Sequence, residues 1–296
     1  MKITKFFKAR NIRNLDDTNY NFSNLSTSYI LVGMFFVYQI VLTPFYLATF
    51  GKVKFGYLAI LLSITQYIGL ATTSVGGYLN RVFGLSWAKK NIQEINDIFL
   101  ASKYIIILYL LIFSTFILVI SKILSISFLD ESSILLLSFL IYVFILFETL
   151  PERHLYFATN HQTQFHILEI LRLGISLVLI LKIVPLYPSI SNIFLINAFT
   201  YFLFRIYSIN FWHNIIFSTI PKLNFKNHIS WIKKILRRKN FLYLFQSVLN
   251  LLLISDVLIV SFLAGPSIAG LYALAAKMPD ALHQLLSRIP TSQEPR

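Results

Sequence analysis

The chain contains no cysteine, and that absence removes disulfides, thiolate metal sites and cysteine nucleophiles together. Charge is the next scarcity. Charged residues make up 13% of the chain, where a soluble protein needs roughly a quarter to cover its surface. Acidic residues are the scarcest of these, 12 against 26 Lys plus Arg. Catalytic signatures are missing too: the six histidines show no H-E-x-x-H spacing, and neither a P-loop nor a G-x-S-x-G elbow occurs. The chain is therefore expected not to be an enzyme and to need no cofactor or metal.

What fills the chain is hydrocarbon. Hydrophobic residues reach 56% and mean hydropathy is +0.69, which places the chain in a bilayer. The net charge of +14 would suggest nucleic acid if the basic residues formed one solvated face. They sit instead in the gaps between apolar runs, so membrane topology explains them, with attraction to anionic headgroups second. No cleavable signal peptide is expected, because the first apolar run is too long for a signal-peptide core.

A helix needs about 20 residues to cross the hydrocarbon core. Eight runs qualify: 28–49, 55–78, 103–124, 133–150, 165–186, 190–212, 241–263 and 267–286. The expected fold is an all-α polytopic membrane protein of about eight spans. Pro44 in the first run and Gly76-Gly77 in the second mark expected kinks. With the N-terminus inside, nineteen of the 26 basic residues fall in inner segments, and the outer loops hold Lys52 and Lys54, or four with Lys122 and Lys182 at helix ends. That asymmetry predicts an N-in, C-in topology. The chain divides into a basic segment (1–25), a six-helix bundle (26–212), a basic linker (213–240) and the start of a second bundle (241–296).

One spacing occurs twice. Gly51 and Gly56 are separated as Gly265 and Gly270 are, and a shift of 214 positions also aligns Ala59 with Ala273. Both pairs lie between long apolar runs, which suggests one helical hairpin used twice.

Charges at bilayer depth are costly unless paired or wetted. Asp256 and Lys277 lie at similar distances on either side of the Gly265 turn; they form either an ion pair holding the hairpin or a coupling site in a wet cavity. Arg205 either binds an anion or pairs with a carboxylate such as Glu169. Glu148 and Arg172 are near helix ends, where they can snorkel. Gln246 and Asn250 share a face of the seventh helix, Gln39 and Thr43 a face of the first, and Gln66 lies in the second.

The stretch Tyr46 to Lys90 contains Phe50-Gly51-Lys52-Val53-Lys54-Phe55-Gly56-Tyr57, the glycines Gly76-Gly77 leading to Asn80-Arg81, and Trp87-Ala88-Lys89-Lys90. With 253–278, which holds Asp256, the second glycine turn and Leu271-Tyr-Ala-Leu-Ala-Ala-Lys277, it resembles the lipid-linked oligosaccharide flippases of bacterial O-antigen and capsule pathways. These form the polysaccharide transporter branch of the multidrug/oligosaccharidyl-lipid/polysaccharide exporter superfamily. The resemblance implies two six-helix bundles about a pseudo-two-fold axis and alternating access for undecaprenyl-pyrophosphate-linked oligosaccharide. It implies a bacterial inner-membrane location, with the polymerase and chain-length proteins of the pathway as partners. Arg81 and Lys277 become candidate phosphate partners, Asp256 a coupling or gating carboxylate, and Gln39, Gln66, Gln246 and Asn250 cavity polar groups. Two departures stand out: Ala71-Thr72-Thr73-Ser74 replaces a region where the family often carries Asp, and the second bundle stops after two helices, as a truncated product would. A cation-coupled drug or metabolite antiporter, a membrane-embedded glycan polymerase or glycosyltransferase, and a non-functional fragment are the other readings.

Overall fold

A computed structural model of the chain describes residues 17–123, 133–215, 225–237 and 256–276. Every element among them is helical. They are α1 (Asp17–Ala88), α2 (Ile92–Ile123), α3 (Ser133–Glu148), α4 (Leu150–Ala158), α5 (Gln162–Ile183), α6 (Ile190–Ile215) and α7 (Phe225–Arg237); α8 (256–264) follows, then α9 (Pro266–Ala276). Of the expected runs, the seventh and the end of the eighth lie largely outside the described residues.

Four stretches of the described residues are long and apolar enough to cross a membrane: Ser23–Gly69, Ile92–Thr115, Ser133–Ala158 and Ile190–Trp212. Two of the expected spans fall within the first stretch and its continuation, because α1 runs across both. The expected fifth span is not among the four. Its helix, α5, carries Glu169, Arg172 and Lys182, which dilute its apolarity.

The 72 residues of α1 contain one non-helical residue, Gly51, at φ 73° and ψ 172°. The chain reverses there. Asn24, well before the break, accepts a hydrogen bond from Thr163, while Trp87, well after it, packs edge-on against His161 with ring centroids 6.1 Å apart. Two points over sixty residues apart meet the same α4–α5 corner, which a straight helix rising 1.5 Å per residue cannot do. Only glycine takes that left-handed conformation without a Cβ penalty. Pro44 and Gly76-Gly77 do not break the helix, since Gly51 alone departs from helical angles. Gly76 serves close packing instead: a Cβ there would lie 2.4 Å from the His154 ring.

The second glycine pair repeats the device. Gly265 also has positive φ, 84°, and the Tyr272 hydroxyl donates to Asp256 Oδ2 at 2.9 Å across it, so α8 and α9 fold back on each other. The two turns then touch. A Cβ on Gly56 would sit 1.8 Å from the Pro266 carbonyl oxygen, and one on Gly270 would sit 3.0 Å from the Gly56 Cα. Positions equivalent under the 214-residue shift thus meet backbone to backbone.

Two apolar clusters fill the bundle. One joins Leu42, Tyr46, Phe55, Leu58 and Leu61 of α1 to Phe139, Val143, Ile180 and Phe194. The other, at the end carrying the α1–α2 and α4–α5 corners, joins Leu79 and Phe83 to Ile95, Ile98, Leu155, Tyr156 and Trp212, with Ile235 of α7 closing it. α7 is amphipathic: Trp231, Ile232 and Ile235 face this cluster, while Lys233 and Lys234 are exposed, the latter with its ammonium 4.3 Å from the Trp231 ring.

Gly56→Ala forces the docked turns apart and is expected to lower the thermal midpoint in detergent, an overpacking cost of about 1–3 kcal/mol. Gly33→Ala, where nothing lies within 4 Å, is expected to leave it unchanged or raise it. His161 is buried among Trp87, Phe211 and Trp212, and burial holds its pKa below the ordinary histidine value. The fold thus favours neutral imidazole: its contribution is intact above the unfolded pKa of about 6.5 and falls away as pH drops toward the lower folded value. The thermal midpoint of the wild type should decline more steeply on acidification than that of His161→Gln.

Candidate functional site

Pro151 starts the site. It lacks an N–H and interrupts the helical ladder, so the fourth run divides into α3 and α4 at Thr149. Glu148 and Glu152 flank this interruption four residues apart, which places both carboxylates on one helix face. Lys103 of α2 reaches across to them. Its ammonium donates to the Glu148 backbone carbonyl at 2.8 Å, to Glu148 Oε1 at 2.5 Å and to Glu152 Oε1 at 2.7 Å. All three ammonium protons are used.

Arg205 of α6 completes the group, its Nε 2.9 Å from Glu148 Oε2. This contact is ionic; its geometry is too bent for a hydrogen bond. Glu148 and Glu152 are almost entirely buried, whereas the Arg205 side chain keeps 34% exposure. Two cations and two carboxylates thus tie α2, α3, α4 and α6 together with no net charge. Arg205 pairs with Glu148 and not with Glu169, and Glu148 does not snorkel out of the protein.

A cavity of about 380 Å³ opens beside the group, lined by Asn96, Phe99, Leu100, Lys103, Tyr104, Ile107, Glu148, Glu152, Arg205, Ile209 and Trp212. Five buried polar atoms on these residues have no hydrogen-bond partner. Arg205 Nε and Glu148 Oε2 face each other as the ion pair, which leaves Asn96 Oδ1, Glu152 Oε2 and Trp212 Nε1 with neither a hydrogen bond nor an opposite charge in contact. Unpaired buried polar groups are uncommon and costly, so this wall is incomplete as protein alone.

A second polar group lies between the first arm of α1, α5 and α6. Arg172 Nε donates to Glu169 at 2.8 Å, and its guanidinium carbon lies 3.9 Å from the centre of the Tyr201 ring. Tyr38 contacts Ser176 at 3.1 Å and donates to Asn197 at 3.3 Å; Ser176 also donates to Asn197 at 2.9 Å. Arg172 is therefore buried and paired within the bundle, contrary to the snorkelling expected of it, because Glu169 one turn away neutralises it and Tyr201 covers it.

The residues singled out from sequence lie elsewhere. Gln39, Gln66, Arg81 and Asp256 are all exposed, and none lines the cavity. Thr43 is buried although Gln39, four residues before it, is not. Asp256 has Tyr272 as a partner, whereas Lys277, Gln246 and Asn250 lie outside the described residues. Lys103 and Glu152 were legible only indirectly. A fourth run bounded at residue 150 leaves Glu152 outside it, and the Glu-x-x-x-Glu spacing around Pro151 is the signal that marks it.

Removing one member of the ion group strands the others. Glu152→Ala is expected to destabilise the protein by about 3–5 kcal/mol, seen as a large drop in thermal midpoint. Replacing Lys103 and Glu152 together by Met should recover part of that loss, and a double-mutant cycle on denaturation in detergent measures the difference. Comparison of the chain with family models, curated proteins and solved structures finds no match.

Proposed function

We propose that the chain is a transporter of the lipid-linked oligosaccharide flippase type, with about eight spans in an N-in, C-in arrangement, acting in a bacterial inner membrane. The observation that carries this reading is the pair of glycine-broken helical hairpins, at Gly51 and at Gly265, docked on each other at Gly56 and Gly270. A duplicated hairpin meeting its own equivalent is what two related bundles facing a shared pathway require.

Polar side chains on these hairpins support the same conclusion. Gln39 and Gln66 sit 12 and 15 residues from Gly51 on opposite arms, hence at similar depth. Both are exposed on helices otherwise suited to lipid. An amide facing hydrocarbon loses its hydrogen bonds, so a wetted cavity between the hairpins is the favourable environment. Arg81, Lys277 and Asp256 belong to the same segments. In this reading the two cations bind pyrophosphate and Asp256 gates or couples, while Gln246 and Asn250 contact glycan. The prenyl tail remains in the bilayer.

A cation-coupled antiporter is the second reading, favoured by the carboxylates Glu148, Glu152 and Glu169 held within the apolar bundle. Reconstitution of the 296-residue chain in proteoliposomes separates the two. Protease-free translocation of a fluorescent undecaprenyl-pyrophosphate glycan, abolished in Asp256→Ala at equal incorporation, is the expected result. Ion-driven uptake of organic cations without glycan movement would establish the antiporter instead.

A further inference from the structure

The cavity beside Lys103 is not part of the proposed transport pathway, and its chemistry is specific. Its lining divides into an apolar half, with Leu100, Tyr104, Ile107 and Ile209, and a polar half. In the polar half Lys103 is saturated by its three acceptors. What remains free is a matched set. Glu152 Oε2 and Asn96 Oδ1 are buried acceptors without a donor, and Trp212 Nε1 is a buried donor without an acceptor. Arg205 faces Glu148 through its Nε as an ion pair without a hydrogen bond and keeps one third of its side chain exposed, which leaves guanidinium N–H groups for a ligand.

The position of these groups along the helices matters as much. Asn96 lies near the start of the candidate span Ile92–Thr115, Glu152 near the end of Ser133–Ala158, and Trp212 at the end of Ile190–Trp212. Ile95, Ile98, Leu155 and Trp212 share one apolar cluster, so these three helix ends lie together. The polar half of the cavity is therefore at the level of a membrane interface, where Trp is favoured. The apolar half extends toward the bilayer centre. Tyr104, Leu108, Ile206 and Ile209 around it are exposed, an apolar surface continuous with lipid.

We propose that this cavity binds a phospholipid with a zwitterionic, primary-ammonium headgroup, of the phosphatidylethanolamine kind. The ammonium donates to Glu152 and Asn96, the phosphate accepts from Arg205 and Trp212, and the start of an acyl chain lies along Tyr104 and Ile107. An anionic headgroup would meet two carboxylates and leave both orphan acceptors unsatisfied. A purely cationic ligand would meet Arg205 and leave the donors idle. A trimethylammonium headgroup carries no N–H to donate. The cavity volume falls within the range of about 300–1,000 Å³ usual for ligand sites. The proposal rests on the chain lying in a bilayer and is independent of what it transports.

Native mass spectrometry of the detergent-solubilised protein, titrated with phosphatidylethanolamine, phosphatidylcholine or phosphatidylglycerol of identical chains, tests it. The expected result is one tightly retained ethanolamine lipid, with the choline and glycerol lipids retained about ten-fold less, the loss of one charge-assisted hydrogen bond. Arg205→Gln and Asn96→Leu should each reduce ethanolamine-lipid retention by a similar factor at unchanged helicity. Equal retention of all three headgroups by the wild type overturns the proposal, as does selective retention that both variants preserve. If either variant fails to fold, the headgroup order of the wild type together with the other variant decides. Ethanolamine-lipid retention without glycan translocation would reject the transport reading alone, and translocation without headgroup selectivity would reject this site alone.

Discussion

A charge buried in protein must be neutralised within reach of its own side chain, and the contact between Lys103 and the two glutamates does this across three helices at once. An unpaired ammonium or carboxylate so buried costs several kcal/mol. Lys103 therefore fixes α2 against α3 and α4, and Glu148 passes the constraint on to Arg205 of α6. Apolar packing in a membrane has little preference for one helix register over another, since lipid is as apolar as leucine. Fixed charges supply that register. The break at Pro151 belongs to the same arrangement: the interrupted turn carries the Glu148 carbonyl that Lys103 also takes. A mutation that restored a continuous helix at residue 151 would straighten the carboxylates' support along with the backbone.

Glycine supplies the second constraint, and it acts through backbone shape. Gly51 and Gly265 turn the chain because they can adopt positive φ. Gly56 and Gly270 then bring the turns into contact because neither carries a Cβ. Each pair divides the labour in the same order, first the turn and then the close approach five residues later. The equivalent positions also touch each other, which is the contact that a local two-fold relation between hairpins produces. Lys52 and Lys54, present in the first turn and absent from the second, remain exposed and leave this geometry undisturbed.

Much of this was legible in the sequence, for identifiable reasons. Long apolar runs and sparse charge gave the helical class, because hydrocarbon permits few other backbones. The glycine spacing marks both reversals, since a conformational requirement leaves a residue type behind it. Pairing partners were less accessible. Arg205 had several carboxylates within plausible reach, and only packing selects Glu148. Snorkelling was a reasonable expectation for Glu148 and Arg172 near helix ends, but an internal partner of opposite charge outcompetes a distant aqueous phase. Pro44 misled for a related reason: in a packed membrane helix a missing hydrogen bond can be absorbed locally, so proline marks a weakness and not necessarily a bend.

The two polar centres of the bundle differ in a way that separates support from recognition. Around Arg172, Glu169 supplies the counter-charge and Tyr201 covers the guanidinium, while Ser176, Asn197 and Tyr38 bond among themselves. That group holds the first arm of α1 against α5 and α6. Around Lys103 the charges balance, yet donors and acceptors remain over on Asn96, Glu152 and Trp212, all three of which line the cavity. A purely structural network gains by closing every bond, since each open buried group costs on the order of 1–3 kcal/mol. Retaining three of them beside an opening toward lipid makes physical sense when something from the lipid phase completes the set, and the bundle is then a protein whose final shell of hydrogen bonds is supplied by the membrane around it.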